Sequence, residues 1–212
     1  GDKGEIAAAD GRYEGGVVKC TVPAGTLNAV VRFPFFDVSE DAWYFGDIVY
    51  AYNNGLFNGT GEHSFEPEAT MTRGMLVSVL WRLEGKPSAP AAPFTDSRGS
   101  WYTEAVDWAA DKGIVLGTSD TTFEPNENVT REQMAAILFR YANFKKLDTS
   151  ARADLAGFPD AGSVSDYAVE AVSWANANGI IRGSDGLIVP HDGASRAQVA
   201  AILHRFIENC IF

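Results

Sequence analysis

Apolar residues recur at i, i+3, i+4 and i+7 in three stretches: Leu76, Val79, Leu80 and Leu83; Met134, Ile137, Leu138 and Tyr141; Val199, Ile202, Leu203 and Phe206. Positions three and four apart share one face of a helix, so each stretch predicts an amphipathic helix. The opposite side carries small residues such as Ser78, Ala135, Ala136, Ala200 and Ala201, which let a second helix come close. Each helix has a marked start. Thr72, Thr130 and Ser195 stand where an N-cap belongs, and Gln133 and Gln198, three residues on, complete a capping box. Met75 holds that place in the first stretch, which keeps half of the device.

Upstream of each stretch lies a shorter pattern. An aromatic is followed twelve residues later by glycine: Trp43 to Gly55, Trp101 to Gly113, Tyr167 to Gly179. A second glycine follows four residues beyond, at Gly59, Gly117 and Gly183. The spacing predicts a helix that starts near the aromatic and stops at the first glycine as a C-cap. Tyr50, Trp108 and Trp174, with Ala51, Ala109 and Ala175, form its apolar face. Phe-x-Asp opens each unit at Phe35–Asp37, Phe94–Asp96 and Phe158–Asp160. Phe65, Phe123 or Ile188, and then Pro67, Pro125 or Pro190, precede the second helix at fixed offsets. An arginine follows each N-cap, with 58 residues from Arg73 to Arg131 and 65 from Arg131 to Arg196, and nine residues after each comes another, Arg82, Arg140 or Arg205.

So many matched offsets define three copies of one helix–loop–helix unit. A single copy cannot bury its apolar faces, but three packed together can. The expectation is a mainly α fold with six helices in one body and repeats at 34–85, 92–145 and 157–209. Pro-rich and polar linkers run over 84–93 and 145–157. Residues 1–33 do not repeat. Their β-branched runs around Pro23-Ala24-Gly25 predict one or two strands, either the tail of an upstream domain or a strand laid on the helical body.

Composition narrows the function. The 212 residues are 46% hydrophobic and 12% aromatic, enough for a core. The net charge of −11 argues against a general nucleic-acid binder and against docking on an anionic membrane. No apolar run is long enough to span a bilayer. Cys20 and Cys210 could form one disulfide or remain two thiols, and the scattered His63, His191 and His204 exclude a patterned zinc site. The opening GDKGE reads as the boundary of a piece of a longer chain, so the lack of a visible signal peptide says nothing about compartment.

The arginine behind each cap is the unusual feature, because a helix N-terminus favours negative charge. A guanidinium there makes an anion-selective spot suited to a bidentate carboxylate or phosphate. The alternative is pairing with an acid of the same or the next unit, Asp37, Asp96 and Asp160 being the candidates. The aromatics Trp43, Trp101 and Tyr167 read either as core or as exposed rings on which a sugar stacks. Gly59–Thr60, Gly117–Thr118 and Gly183–Ser184 are either plain turns or donors to a ligand. No paired carboxylates mark a glycosidase, and no cofactor or catalytic residue can be nominated.

Taken in order, Phe-x-Asp, Trp-Tyr, the glycines, Phe-x-Pro and the Thr-Arg helix start resemble the S-layer homology (SLH) domain, over about residues 34–209. The resemblance implies three repeats in a pseudo-threefold arrangement around a central three-helix bundle. It also implies non-covalent anchoring of a surface protein to secondary cell-wall polysaccharide, outside a Gram-positive-type bacterium. The recognised group would be a pyruvylated amino sugar held in grooves between repeats. By this resemblance the glycan-binding residues are Arg73, Arg131, Arg196, Trp43, Trp101, Tyr167, Asp37, Asp96, Asp160, Thr72, Thr130, Ser195, Gly59, Gly117 and Gly183. The competing reading is a self-assembly module that joins surface-layer subunits, with the arginines as internal struts. Ser195, Tyr167 and Ile188, where the other repeats have Thr, Trp and Phe, set the third copy apart.

Overall fold

The computed structural model describes residues 33–211, and the backbone of 12–14 and 17–19. The two short segments are strands β1 (Arg12–Glu14) and β2 (Val17–Lys19), paired antiparallel with Tyr13 opposite Val18. The expected Pro-Ala-Gly turn lies outside the described residues, as does Cys20, and with it the disulfide; Cys210 is half-buried.

Among the described residues six α-helices follow: α1 (Phe45–Asn53), α2 (Arg73–Leu83), α3 (Thr103–Asp111), α4 (Arg131–Phe144), α5 (Val169–Ala177) and α6 (Arg196–Phe206). The fold is mainly α. The first helix of each repeat begins two residues after Trp43, Trp101 or Tyr167. It ends where Gly55, Gly113 and Gly179 take φ of +68°, +66° and +65°, a left-handed stop that other residues reach only with strain. The second helices start at their caps. Thr130 and Ser195 each form the full capping box, whereas Thr72 only accepts the Met75 N–H.

The repeats interlock in a ring. The most closely packed helix pairs are α2 with α3, α4 with α5 and α6 with α1, so each first helix lies on the second helix of the repeat before it. Trp108 and Trp174 are the anchors of α3 and α5 and are almost wholly buried. The small faces of α4 and α6, including Ala135, Ala136, Ala200 and Ala201, are buried as well. Tyr141 of α4 meets Phe206 of α6 at 5.7 Å and donates its hydroxyl proton to Glu84, just past α2.

Three main-chain bonds tie the repeats at one junction. The Met71 N–H donates to Ala194 O, the Val129 N–H to Met71 O and the Ala194 N–H to Val129 O, at 3.0, 2.9 and 3.3 Å. Each segment thus satisfies the next in a closed cycle of three, which sets the helix starts of α2, α4 and α6 side by side around a pseudo-threefold centre.

Candidate functional site between the repeats

The helix starts are built by main chain from the neighbouring repeat. The amides of Arg73 and Gly74 donate to Glu127 O and Pro125 O, those of Arg131 and Glu132 to Asp192 O and Pro190 O, and those of Arg196 and Ala197 to Ala69 O and Pro67 O. The free N–H groups of a helix N-terminus are therefore taken, together with those held by the caps. What the helix starts can offer an anion is therefore the guanidinium side chains.

Each of these arginines crosses to the next repeat. Arg73 Nε donates to Phe123 O at 2.9 Å, Arg131 Nε to Ile188 O at 2.9 Å and Arg196 Nε to Phe65 O at 2.7 Å. The carboxylates expected to pair with them do something else. Asp37 accepts from the amides of Phe65 and Glu66, Asp96 from Phe123 and Glu124, and Asp160 from Ile188 and Val189. Arginine and aspartate thus grip opposite sides of the same residue. The aspartates also hold the next residue, Glu66, Glu124 or Val189, at a left-handed φ of 57°, 57° or 46°. The bond from Ile188 pulls the Asp160 pKa below the usual carboxylate range.

Asp37, Asp96 and Asp160 brace loops and do not wall a groove. The Thr72, Thr130 and Ser195 oxygens serve the helix caps and also lie off the groove walls.

The grooves draw on all three repeats. In the first, Arg73 meets Gly117, Thr118, Gln133 and Arg140 of the second repeat and Tyr167 of the third, around a cavity of about 350 Å³. The second joins Arg131 to Gly183, Ser184, Gln198 and Arg205, with Trp43, around about 190 Å³. The third joins Arg196 to Gly59, Thr60, Met75 and Arg82, with Trp101, around about 170 Å³. The Arg73 groove continues past Arg140 and Tyr167 into a hollow of about 470 Å³ beside Lys112 and Asn143.

Two arginines from the second helices therefore face each groove, and Arg182 joins them in the second. Arg73, Arg131 and Arg196 are buried, with 6–7% of their surface exposed, and each is among the residues that line its groove. Arg82, Arg140 and Arg205 are half-buried. Desolvation lowers the pKa of all six, although an arginine remains charged at neutral pH. Arg82 and Arg140 have neither an ion pair nor a hydrogen bond among the described residues. These second arginines are the groove residues that motif reading overlooked. Their signal was the nine-residue offset, which turns a helix through two and a half turns and puts the two arginines of one helix into different grooves.

The aromatics project outward: Trp43, Trp101 and Tyr167 are 63%, 59% and 53% exposed. Tyr167 is fixed at its tip. Its hydroxyl donates to Glu132 at 3.0 Å, and the same buried carboxylate accepts from the Ser165 amide and hydroxyl. The glycines are steric. A Cβ on Gly59 would lie 2.5 Å from the Phe35 ring, and one on Gly117 would lie 2.6 Å from Phe94. The amides of Thr60, Thr118 and Ser184 close turns onto Ser64, Thr122 and Leu187, and their hydroxyls bond within the same loops, to Ser64 O, Thr122 O and Asp185.

Among the described residues, no helix is long and apolar enough to cross a membrane, and no cluster of His, Cys, Asp and Glu could hold a metal ion. The chain matches the family model described as the S-layer homology domain three times, at residues 34–74, 93–135 and 157–200. It is 33% identical to an endoglucanase of Bacillus sp. (strain KSM-635) over 81% of this chain and 18% of that protein. It is 28% identical to the surface-layer 125 kDa protein of Lysinibacillus sphaericus, over 73% of this chain and 13% of that one. With the S-layer protein sap of Bacillus anthracis the identity is 31%, over 63% of this chain and 16% of that protein. The chain thus spans less than a fifth of the length of these relatives. Three matched copies, each with its capped arginine and outward aromatic, place the chain in the S-layer homology domain family.

Proposed function

We propose that the chain anchors a surface protein to the cell wall by binding a carboxylate-bearing wall polysaccharide in the grooves between its repeats. The substituent that fits is the carboxylate of a pyruvylated amino sugar. The module is non-catalytic and works outside a Gram-positive-type cell, on whatever larger protein carries it. The binding units are the repeats at 34–85, 92–145 and 157–209. Similarity to a surface-layer protein and an S-layer protein supports a place at the cell surface.

One observation carries this reading: an arginine without a partner among the described residues, Arg140, faces an exposed ring and a second, rigidly held arginine across one groove. Half-buried cations without a counter-ion are costly unless something pairs with them. A carboxylate between the two guanidiniums gains charge-assisted hydrogen bonds, and the sugar's C–H face covers the Tyr167 ring. The bond to Phe123 O fixes Arg73 beforehand, so little side-chain freedom remains to be lost on binding.

The cleanest test is Arg140→Ala, since Arg140 braces nothing among the described residues. Binding to purified wall polysaccharide should weaken about tenfold or more while the melting temperature stays near that of the parent chain. Unchanged binding would overturn the site. Concentration-dependent assembly of the chain without glycan, seen by sedimentation, would favour the self-assembly module instead.

A further inference from the structure

The three grooves are not equal in charge. The residue just before Gly59, Gly117 and Gly183 sits on the rim of its groove, and it is Asn58, Leu116 and Arg182 respectively. The groove of Arg131 and Arg205 therefore holds a third guanidinium, and among the described residues no acid forms its wall. Arg182 is exposed and is steadied by an Nε bond to Gly179 O at 3.1 Å, which leaves its remaining donors for the groove. Arg205, half-buried, makes one long bond, from Nη1 to Ile180 O at 3.4 Å. The charge of Arg182 adds to desolvation in lowering the Arg205 pKa, so the two cations act on each other across the groove. Asp192 and Asp160 lie near Arg131, but the Asp160 oxygens are engaged by main-chain amides.

Arg131 is also the loosest of the buried arginines. Arg73 and Arg196 lie 4.5 Å from the centres of the Phe123 and Phe65 rings, while Arg131 has Ile188 at that place and no ring beneath it among the described residues. Among the described residues its guanidinium is held by the single Nε bond to Ile188 O.

We propose that this groove takes a doubly charged anion, a phosphate monoester on the wall glycan, where the other two take a monocarboxylate. The inference rests on the glycan reading of the grooves. Two arginines around one carboxylate leave one positive charge, and three arginines around a phosphate dianion leave the same. The three oxygens of a phosphoryl group also match three guanidinium forks better than two carboxylate oxygens can. A cavity of about 190 Å³ admits the phosphoryl group, with its sugar lying over Trp43.

The test titrates the whole chain with inorganic phosphate and, separately, with acetate, at fixed ionic strength and a pH where phosphate is a dianion. The indole N–H signals of Trp43 and Trp101, each assigned from its Phe variant, report the Arg182 and Asn58 grooves. Phosphate should move the Trp43 signal at concentrations about tenfold below those that move Trp101. Acetate should move both over one range. In Arg182→Asn, which copies the Asn58 groove, the phosphate response of Trp43 should fall onto that of Trp101. Equal phosphate responses in the parent chain, or a preference that survives Arg182→Asn, overturn the inference and leave the carboxylate reading standing. If neither anion moves either signal, both readings fall. The acetate response of Trp43 in the variant shows that its groove is still formed.

Discussion

Arg73 and Phe123 belong to different repeats, yet the arginine Nε lies 2.9 Å from the phenylalanine carbonyl oxygen and its guanidinium carbon lies 4.5 Å from the ring centre. One side chain thus fastens one repeat to the next while its far end faces a groove. Arg196 repeats this on Phe65, with a second bond from Nη2 to Asn58 O at 3.0 Å. Arg131 keeps only the Nε bond, to Ile188 O, among the described residues.

The strength of these fastenings should follow that order. Replacing Arg73 or Arg196 by Met removes a buried charge-assisted bond and a cation–π contact, together about 2–4 kcal/mol. Arg131→Met removes the bond alone, about 1.5–3 kcal/mol. Urea unfolding of the three variants checks the ranking, and a larger loss for Arg131→Met would contradict it.

Asp96 should matter to stability as much as any arginine. Its carboxylate accepts from the Phe123 amide at 3.0 Å and from the Glu124 amide at 2.7 Å, and Glu124 is held at a left-handed φ of 57°. Asp96→Ala leaves those amides to water and frees the strained turn, costing about 2–4 kcal/mol. Because Phe123 O orients Arg73, ligand binding in the Arg73 groove should weaken too. A variant that melts with the parent chain would show that the brace is redundant.

These residues also show what a sequence can and cannot tell. The repeats, the caps and the arginine positions were legible because each rests on residue type at a fixed offset. The partners of the arginines were not, because carbonyl oxygens of Phe123, Ile188 and Phe65 carry no signature of residue type. Acidic neighbours looked like the natural partners, yet Asp37, Asp96 and Asp160 took main-chain amides. Arg82, Arg140 and Arg205 recur as regularly as the others, but nothing in a linear pattern says that one helix feeds two grooves. The outward turn of Trp43 and Trp101 was equally hidden, since a helix-start tryptophan fits a core as well as a surface.

The first repeat offers a gain. Thr72 caps α2 without a return bond because Met75 stands where Gln133 and Gln198 bond back to Thr130 N and Ser195 N at 3.2 and 3.1 Å. Met75→Gln should complete the box and stabilise the chain by about 0.5–1 kcal/mol, less a small loss of apolar burial. A rise in melting temperature checks it, and no rise would mean that the half-buried Met75 packing outweighs the added bond.

Tyr167 gives the site a titration of its own. Desolvation, and next the hydrogen bond to Glu132, push its phenol up to about 12. An unfolded tyrosine ionises at about 10. Between these values the folded chain holds a proton that the unfolded chain has released, so this contribution to stability is whole below the unfolded value and is lost as pH rises through the folded one. Arg73 and Arg140 act on the ring in the opposite sense but do not outweigh burial. The phenolate absorbance that Tyr167→Phe removes should have its midpoint near the raised value, and Glu132→Ala should bring that midpoint down toward the ordinary one. A Tyr167 component that already titrates like a free tyrosine in the parent chain would show that Glu132 does not hold the ring over the groove.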